Sequence, residues 1–310
     1  MERDADFRTA QHIGWNVMVT ANFFWHGPKL RLYEKACLSS FVNAGFKVQL
    51  HTFNAALNVP HGVDLIDARL LAREEEVLSL TQGGKPGSIA AFTDLFRYRL
   101  FKSEPGWWFD TDVYCLATAE AFAEIQNTSR GLLVGEEAPG KLNGAVLFVS
   151  DPSIAIELER RADAKGKSFA WGAIGPGLIS EYVREYPKNS TTVPPEIFYP
   201  VHYQEADLLF RSGERAECAR RMDKALSVHL WNEILTTWKV PVEIMPCRGS
   251  FLADLFARTG VTVEPDAALS EATLEDLQYF GRIGPKGRKL IHVVNGLRAA
   301  KQWVVDLRGS

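Results

Sequence analysis

Along the first third of the chain, apolar residues switch between short β-rich runs and stripes spaced three and four residues apart. That alternation predicts a sheet layered with crossover helices. WNVMVT (15–20) reads as the first strand, FKVQLHTF (46–53) as the second and VDLIDARLL (63–71) as the third. Between the first two, KLRLYEKACLSSFVNAG puts Leu30, Tyr33, Cys37 and Phe41 on one helical face, with Gly45 as a left-handed stop. TQGGKPGS (81–88) interrupts the pattern with three glycines and a proline and predicts a mobile loop. Ser88 then caps a helix whose stripe is Ile89, Phe92, Phe96 and Leu100, and Pro105-Gly106 ends it.

WWFDTDVYCL resumes as a strand. Further on, GLLVGEE and GAVLFVS read as strands and PSIAIELERRADA and GLISEYVREY as helices, while TTVPPEIFYPVHY reads as a proline-marked irregular strand pair. From about residue 265 the chain becomes a basic, partly amphipathic tail carrying Arg288, Lys289, Arg298 and Lys301. It is read as an accessory helical appendage, either a solvated helix face or a contact for an anionic membrane.

Composition narrows the partners. A chain of 310 residues that is 46% apolar can bury a full core. A formal charge of -3 with 24% charged residues gives no general attraction to nucleic acid or acidic lipid, so a small molecule or glycan is the expected partner. The opening MERDADFRTAQHIG lacks the apolar stretch of a signal peptide, and nowhere do eighteen apolar residues run together, which predicts a soluble protein. Cys37, Cys115, Cys218 and Cys247 are widely spaced and form no C-x-x-C pair, as expected of reduced thiols in a cytoplasm.

The candidate chemistry centres on Asp110 and Asp112, the D-x-D after the apolar run WWF. Ends of strands in open α/β sheets are where such folds build ligand sites. Two carboxylates one residue apart point to opposite faces of a regular strand, so both serve one site only if the chain turns there. Such a pair suits a hard divalent ion, Mn²⁺ or Mg²⁺, that neutralises a departing diphosphate; surface aspartates capping a loop are the plainer alternative. Upstream, Asp94, Arg97 and Tyr98 share the helix face opposite the apolar stripe, as a solvated ion pair or as contacts for a sugar and a phosphate.

FTDLFRYRLFKSEPGWWFDTDVYCL (92–116) resembles the central block of DXD-containing retaining GT-A glycosyltransferases. That family includes initiating mannosyltransferases, lactosylceramide galactosyltransferases, bacterial capsule enzymes of polysaccharide biosynthesis and, more loosely, clostridial glucosylating toxins. The resemblance runs from FFWHG (23–27) through VPHGVDLIDAR (59–69) to ALSVHLWNE (225–233). It implies a GT-A fold, Rossmann-like with a mixed central sheet, and a hexose moved from a nucleotide diphosphate donor with retention of configuration. UDP-glucose or UDP-galactose is the preferred donor and GDP-mannose the alternative. It further implies that Trp25 stacks on the base, that Asp94 and Arg97 meet the sugar and phosphate, and that Asp110 and Asp112 hold the metal. Asn143 would lie near the donor sugar, and His229 would be a late metal or phosphate ligand with Trp231 and Asn232 beside it on a closing loop.

Pro105 stands where relatives commonly carry glycine, and the membrane anchor of the Golgi relatives is not evident, which leaves their lipid and glycoprotein acceptors open. Glu136 and Glu137 are the nearest candidates for a covalent nucleophile, with a charged loop as the alternative. The expected organisation is a catalytic domain over 1–264, its donor half 1–115 and acceptor half 116–264, then the tail 265–310. A cytoplasmic site, with the tail as a candidate peripheral contact at the inner membrane face, completes the expectation. The rival readings are a phosphatase of the haloacid dehalogenase type, which also uses D-x-D with Mg²⁺, and a non-catalytic sugar-binding protein of the same fold.

Overall fold

The run TANFFW has no solvent-exposed face, because both of its faces are covered, and even Asn22 within it is buried. In the computed structural model, which describes residues 18–261, 268–279 and 281, this run is β1 (Thr20–Trp25). Phe23 enters one apolar layer and Phe24 the other. β4 (Gly106–Phe109) repeats the device, with Trp107 and Phe109 on one side and Trp108 on the other. Strands buried on both sides read as continuous apolar runs. Each fully buried indole contributes on the order of 5 kcal/mol of apolar burial before entropy is counted.

With β2 (Lys47–Thr52), β3 (Val63–Asp67), β5 (Leu132–Ala138), β6 (Lys141–Val149) and β7 (Ser190–Val193), these strands form a seven-stranded sheet of order β7-β5-β6-β4-β1-β2-β3. Only β6 runs antiparallel to its neighbours. This is the mixed α/β sheet expected of a GT-A fold. The helix Leu32–Asn43 covers one face, burying Tyr33, Cys37 and Phe41, and Gly45 closes it at a φ of 88°. The helices Ile89–Ser103, Pro152–Ala164 and Pro176–Glu185 cover the other. Ser88 caps the first of these, its Oγ accepting from Ala91 N at 3.2 Å.

Several elements differ from the sequence reading. The first strand begins at Thr20; Met18 and Val19 precede it, and residues 15–17 lie outside the described residues. TQGGKPGS is a hairpin: Thr81–Gln82 pairs antiparallel with Lys85–Pro86 and parallel with Ser168–Phe169. Gly83 and Gly84 have φ of 55° and 77°, the two positive values that a two-residue hairpin turn demands, so the glycines mark a tight turn. TTVPPEIF is one strand followed by the short helix Pro195–Phe198, because a proline at the first helical position is pre-set for it. Glu136 and Glu137 lie within β5 and not on a loop.

The four cysteines are buried and free. No described helix is long and apolar enough to cross a membrane. The described start of the basic tail, 268–279, packs on the main core: Leu269 and Leu274 are buried in it, and Arg211 pairs with Glu275 at 3.0 Å. Arg288, Lys289, Arg298 and Lys301 lie outside the described residues.

Candidate active site

The sheet breaks at the D-x-D. β4 ends at Phe109; Asp110 N donates to Ala145 O at 2.8 Å and Val113 N donates back to Asp110 O at 3.0 Å. Past this turn, Val113–Cys115 leaves the main sheet and pairs antiparallel with Ser227–His229. The turn frees both carboxylates from strand alternation, and both line one cleft of about 1040 Å³ at the ends of β1 and β4.

Each carboxylate is held differently. Asp110 Oδ1 accepts from Trp108 Nε1 at 2.8 Å and from Arg97 Nη2 at 3.1 Å. Asp112 Oδ2 accepts from Asn232 N at 2.8 Å, and its Oδ1 lies 3.1 Å from His229 Nε2. Burial alone works against charge on Asp112, but the charge and hydrogen bond of His229 and the Asn232 N–H outweigh it and lower the pKa. Burial likewise disfavours the His229 imidazolium, and Asp112 outweighs it and raises the pKa.

Asp94 and Arg97 are not a solvated pair. Both are buried, with Arg97 Nη2 3.1 Å from Asp94 Oδ1. Arg97 also donates to Gly144 O and lies 5.1 Å from the centre of the Trp108 ring. Its guanidinium is thus committed to two carboxylates and a carbonyl, an anchor for Asp110 more than an open phosphate clamp. Burial raises the Asp94 pKa to about 6 because Arg97, shared with Asp110, compensates only part of the desolvation. Tyr98, also buried, donates to Ile174 O at 2.9 Å.

The remaining predicted residues reach the same cleft. Asn143 Nδ2 donates to Glu137 Oε2 at 2.7 Å and its Oδ1 accepts from Ala145 N at 2.8 Å, so Asn143 braces the strand that flanks Asp110. Trp231 takes a left-handed conformation (φ 58°, ψ 52°) rare for a bulky residue. It is pinned there by Nε1 donating to Val201 O at 2.8 Å and by its ring lying 4.1 Å from that of His229. Strain of this kind, on the order of 1 kcal/mol or more, persists where surrounding contacts over-determine a site.

Two residues at the Trp25 end escaped the sequence reading. Glu34 is fully buried; it accepts from Arg31 N and Nε at 3.0 and 3.1 Å and from Asn232 Nδ2 at 3.0 Å. Arg31 in turn lies 5.6 Å from the centre of the Trp25 ring. Glu34 therefore links Trp25, through Arg31, to the loop that holds Asp112. The available signal was a lone acid one position from the apolar stripe of Leu30, Tyr33 and Cys37.

The donors suit a hard divalent ion in one mode. Asp112 Oδ1 and His229 Nε2 are 3.1 Å apart and share a proton, which a divalent ion would displace on binding between them. Among the described residues no three His, Cys, Asp or Glu side chains are grouped closely enough to hold a metal. The expected trio of Asp110, Asp112 and His229 is therefore not a closed protein cage, and the fit is to an ion completed by phosphate and water.

In sequence the chain is similar to glycosyltransferases. Residues 167–247 match the family described as "Alpha 1,4-glycosyltransferase conserved region". The chain is 24% identical over 161 residues to lactosylceramide 4-alpha-galactosyltransferase of Pongo pygmaeus, a match covering 48% of this chain and 70% of that protein. Against the Homo sapiens protein of the same name the identity is again 24%, covering 48% of this chain and 43% of the relative. Among solved structures, galactosyltransferase LgtC in complex with donor and acceptor sugar analogs aligns at a TM-score of 0.47 and 12% identity, covering 80% of this chain and 98% of that one.

Proposed function

We propose that the chain is a metal-dependent, retaining hexosyltransferase that moves a sugar from a nucleotide diphosphate donor, UDP-glucose or UDP-galactose by preference, to a hydroxyl acceptor. The observation that carries the reading is the convergence of Trp25, Asp94, Asp110, Asp112 and His229 on one cleft. Galactosyl transfer by the lactosylceramide enzymes supports the hexose donor. The phosphatase alternative gains nothing from the sheet, since the D-x-D follows its fourth strand and not its first.

Asp112 and His229 would hold the cation, with Asp110 beside it; the cation, when bound, supplies positive charge against the departing diphosphate. The protein's own part is positional. Trp25, backed by Arg31, offers an aromatic surface to the base. Asp94 accepts hydrogen bonds from sugar hydroxyls, and Arg97 fixes the directions of Asp94 and Asp110, each 3.1 Å from its Nη2. Held in that orientation, the donor is attacked by the acceptor hydroxyl on the face from which the diphosphate leaves, so configuration is retained. The proton of that hydroxyl passes to the leaving phosphate oxygen.

A thermal-shift panel of nucleotide sugars with and without Mn²⁺ tests the reading, because a ligand selective for the folded state raises its stability with occupancy. One nucleotide diphosphate sugar is expected to stabilise the wild type in an Mn²⁺-dependent way and Asp112→Asn not at all. Stabilisation by no donor, or an unchanged Mn²⁺ effect in Asp112→Asn, overturns it.

A further inference from the structure

Trp171 is the largest side chain among the exposed apolar residues and is 73% exposed, yet it lines the same cleft as Asp94 and Asp110. Its indole makes no hydrogen bond or ring contact with another described residue. An indole left in water on a floppy segment would need no explanation, but this segment is tied at both ends. On one side Ser168–Phe169 pairs with Thr81–Gln82, and Gly83 N donates to Phe169 O at 2.9 Å. On the other, Tyr98 Oη donates to Ile174 O at 2.9 Å, and a Cβ on Gly175 would overlap the Asp94 carboxylate. The turn between is closed by Gly177 N donating to Gly172 O at 2.9 Å.

The indole is thus presented on a fixed platform, and its position relative to the rest of the cleft suggests what it meets. Contacts run from Trp25 through Glu34 to Asp112, and from Asp110 through Arg97 to Asp94 and the Trp171 turn. Each tryptophan is thus tied to one carboxylate of the D-x-D by separate contacts, Trp25 to Asp112 and the Trp171 turn to Asp110. Trp25 is partly buried and braced by Arg31, whereas Trp171 is exposed in the cleft on the turn that packs against Asp94, and the base and donor sugar leave it no assigned partner. A pyranose ring carries one face of C–H groups that is buried well on an aromatic face, while its hydroxyls remain free for water or for reaction. We infer that Trp171 is the stacking platform of the acceptor subsite and that the acceptor is a saccharide, bound through the C–H face of the ring next to its reacting hydroxyl. The inference rests on the transferase reading above.

Its test uses the full-length protein with UDP and Mn²⁺ on an array of neutral oligosaccharides, each immobilised through a hydrophilic spacer and through a lipid tail. Affinity for UDP is measured alongside by calorimetry. Wild type is expected to be retained on a defined set of glycans whichever linker carries them. Trp171→Ala should lose about tenfold in retention, Trp171→Phe less, and UDP affinity should change by less than about twofold in both. Equal retention of wild type and Trp171→Ala, retention on no glycan, retention governed by the lipid tail, or loss of UDP affinity in both variants each overturns the assignment. Failure of the wild type to bind UDP instead sinks the UDP-hexose donor of the transferase reading and is seen separately.

Discussion

Replacing Asp94 by Asn should stabilise the protein while removing its function. The Asp94 carboxyl is buried, and its pKa rises from 3.8 to about 6 in the folded chain, chiefly through desolvation. That shift of about two units, at about 1.4 kcal/mol each, makes the ionised residue cost roughly 3 kcal/mol at neutral pH. The sign follows from proton uptake: between pH 3.8 and about 6 the folded state holds a proton that the unfolded state has lost, so stability falls as pH rises through that window. Asn has the same shape and no proton to lose. Urea denaturation of wild type and Asp94→Asn should therefore agree near pH 4 and diverge as pH rises, the variant being more stable by about 3 kcal/mol at pH 7.5. Donor turnover should meanwhile fall by at least about a hundredfold, as expected when a hydrogen-bonded charge near the reacting sugar is lost. A variant no more stable than wild type at pH 7.5 would show that Arg97 fully compensates the buried charge and would refute the reasoning.

His51 should act in the opposite direction. It is buried against Asn22 Oδ1 at 3.2 Å, and desolvation lowers its pKa from 6.5 to about 4, so stability is lost as pH falls from 6.5 towards 4, by roughly 3 kcal/mol in all; His51→Gln should flatten that acid limb in the same titration. Arg97→Met leaves Asp94 and Asp110 without their shared cation and should lower stability by about 3–5 kcal/mol by denaturation, whereas Arg97→Lys keeps the charge, loses the fork and should show mainly in a raised donor KM. At Gly144 an added Cβ would lie 2.6 Å from Arg97 Nη1 and 3.2 Å from Ile179 Cδ1, so Gly144→Ala should cost about 1–3 kcal/mol and weaken donor binding in calorimetry by displacing the arginine.

The parts of the fold legible in the sequence were those whose pattern is local. The stripe of Tyr33, Cys37 and Phe41, the Ser88 cap and the Gly45 stop each act within one helix, and each recurs in the structure. The turn at Asp110 to Asp112 was deduced from the need to bring both carboxylates to one side, and the backbone makes it. The hairpin at 81–86 was missed because its partner strand, Ser168–Phe169, lies far along the chain and nothing local distinguishes a paired Gly-Gly turn from a loop. Arg31 and Glu34 were missed for a similar reason: a buried carboxylate announces itself only when Asn232 arrives from 198 residues away. The commitment of Arg97 to protein partners was equally invisible, since Gly144 O and the Trp108 ring are supplied by other strands.

The bond from Asn232 N to Asp112 Oδ2, bridging 120 positions, also bears on how the molecule is made. Non-local closures of this span pay their loop entropy before they gain any contact and so tend to form late. While the chain is being synthesised, the acidic pair is made long before the segment that locks it has left the ribosome. Ligand-binding competence should consequently appear only with the final collapse, and nucleotide binding during refolding would serve as a clock for that last event.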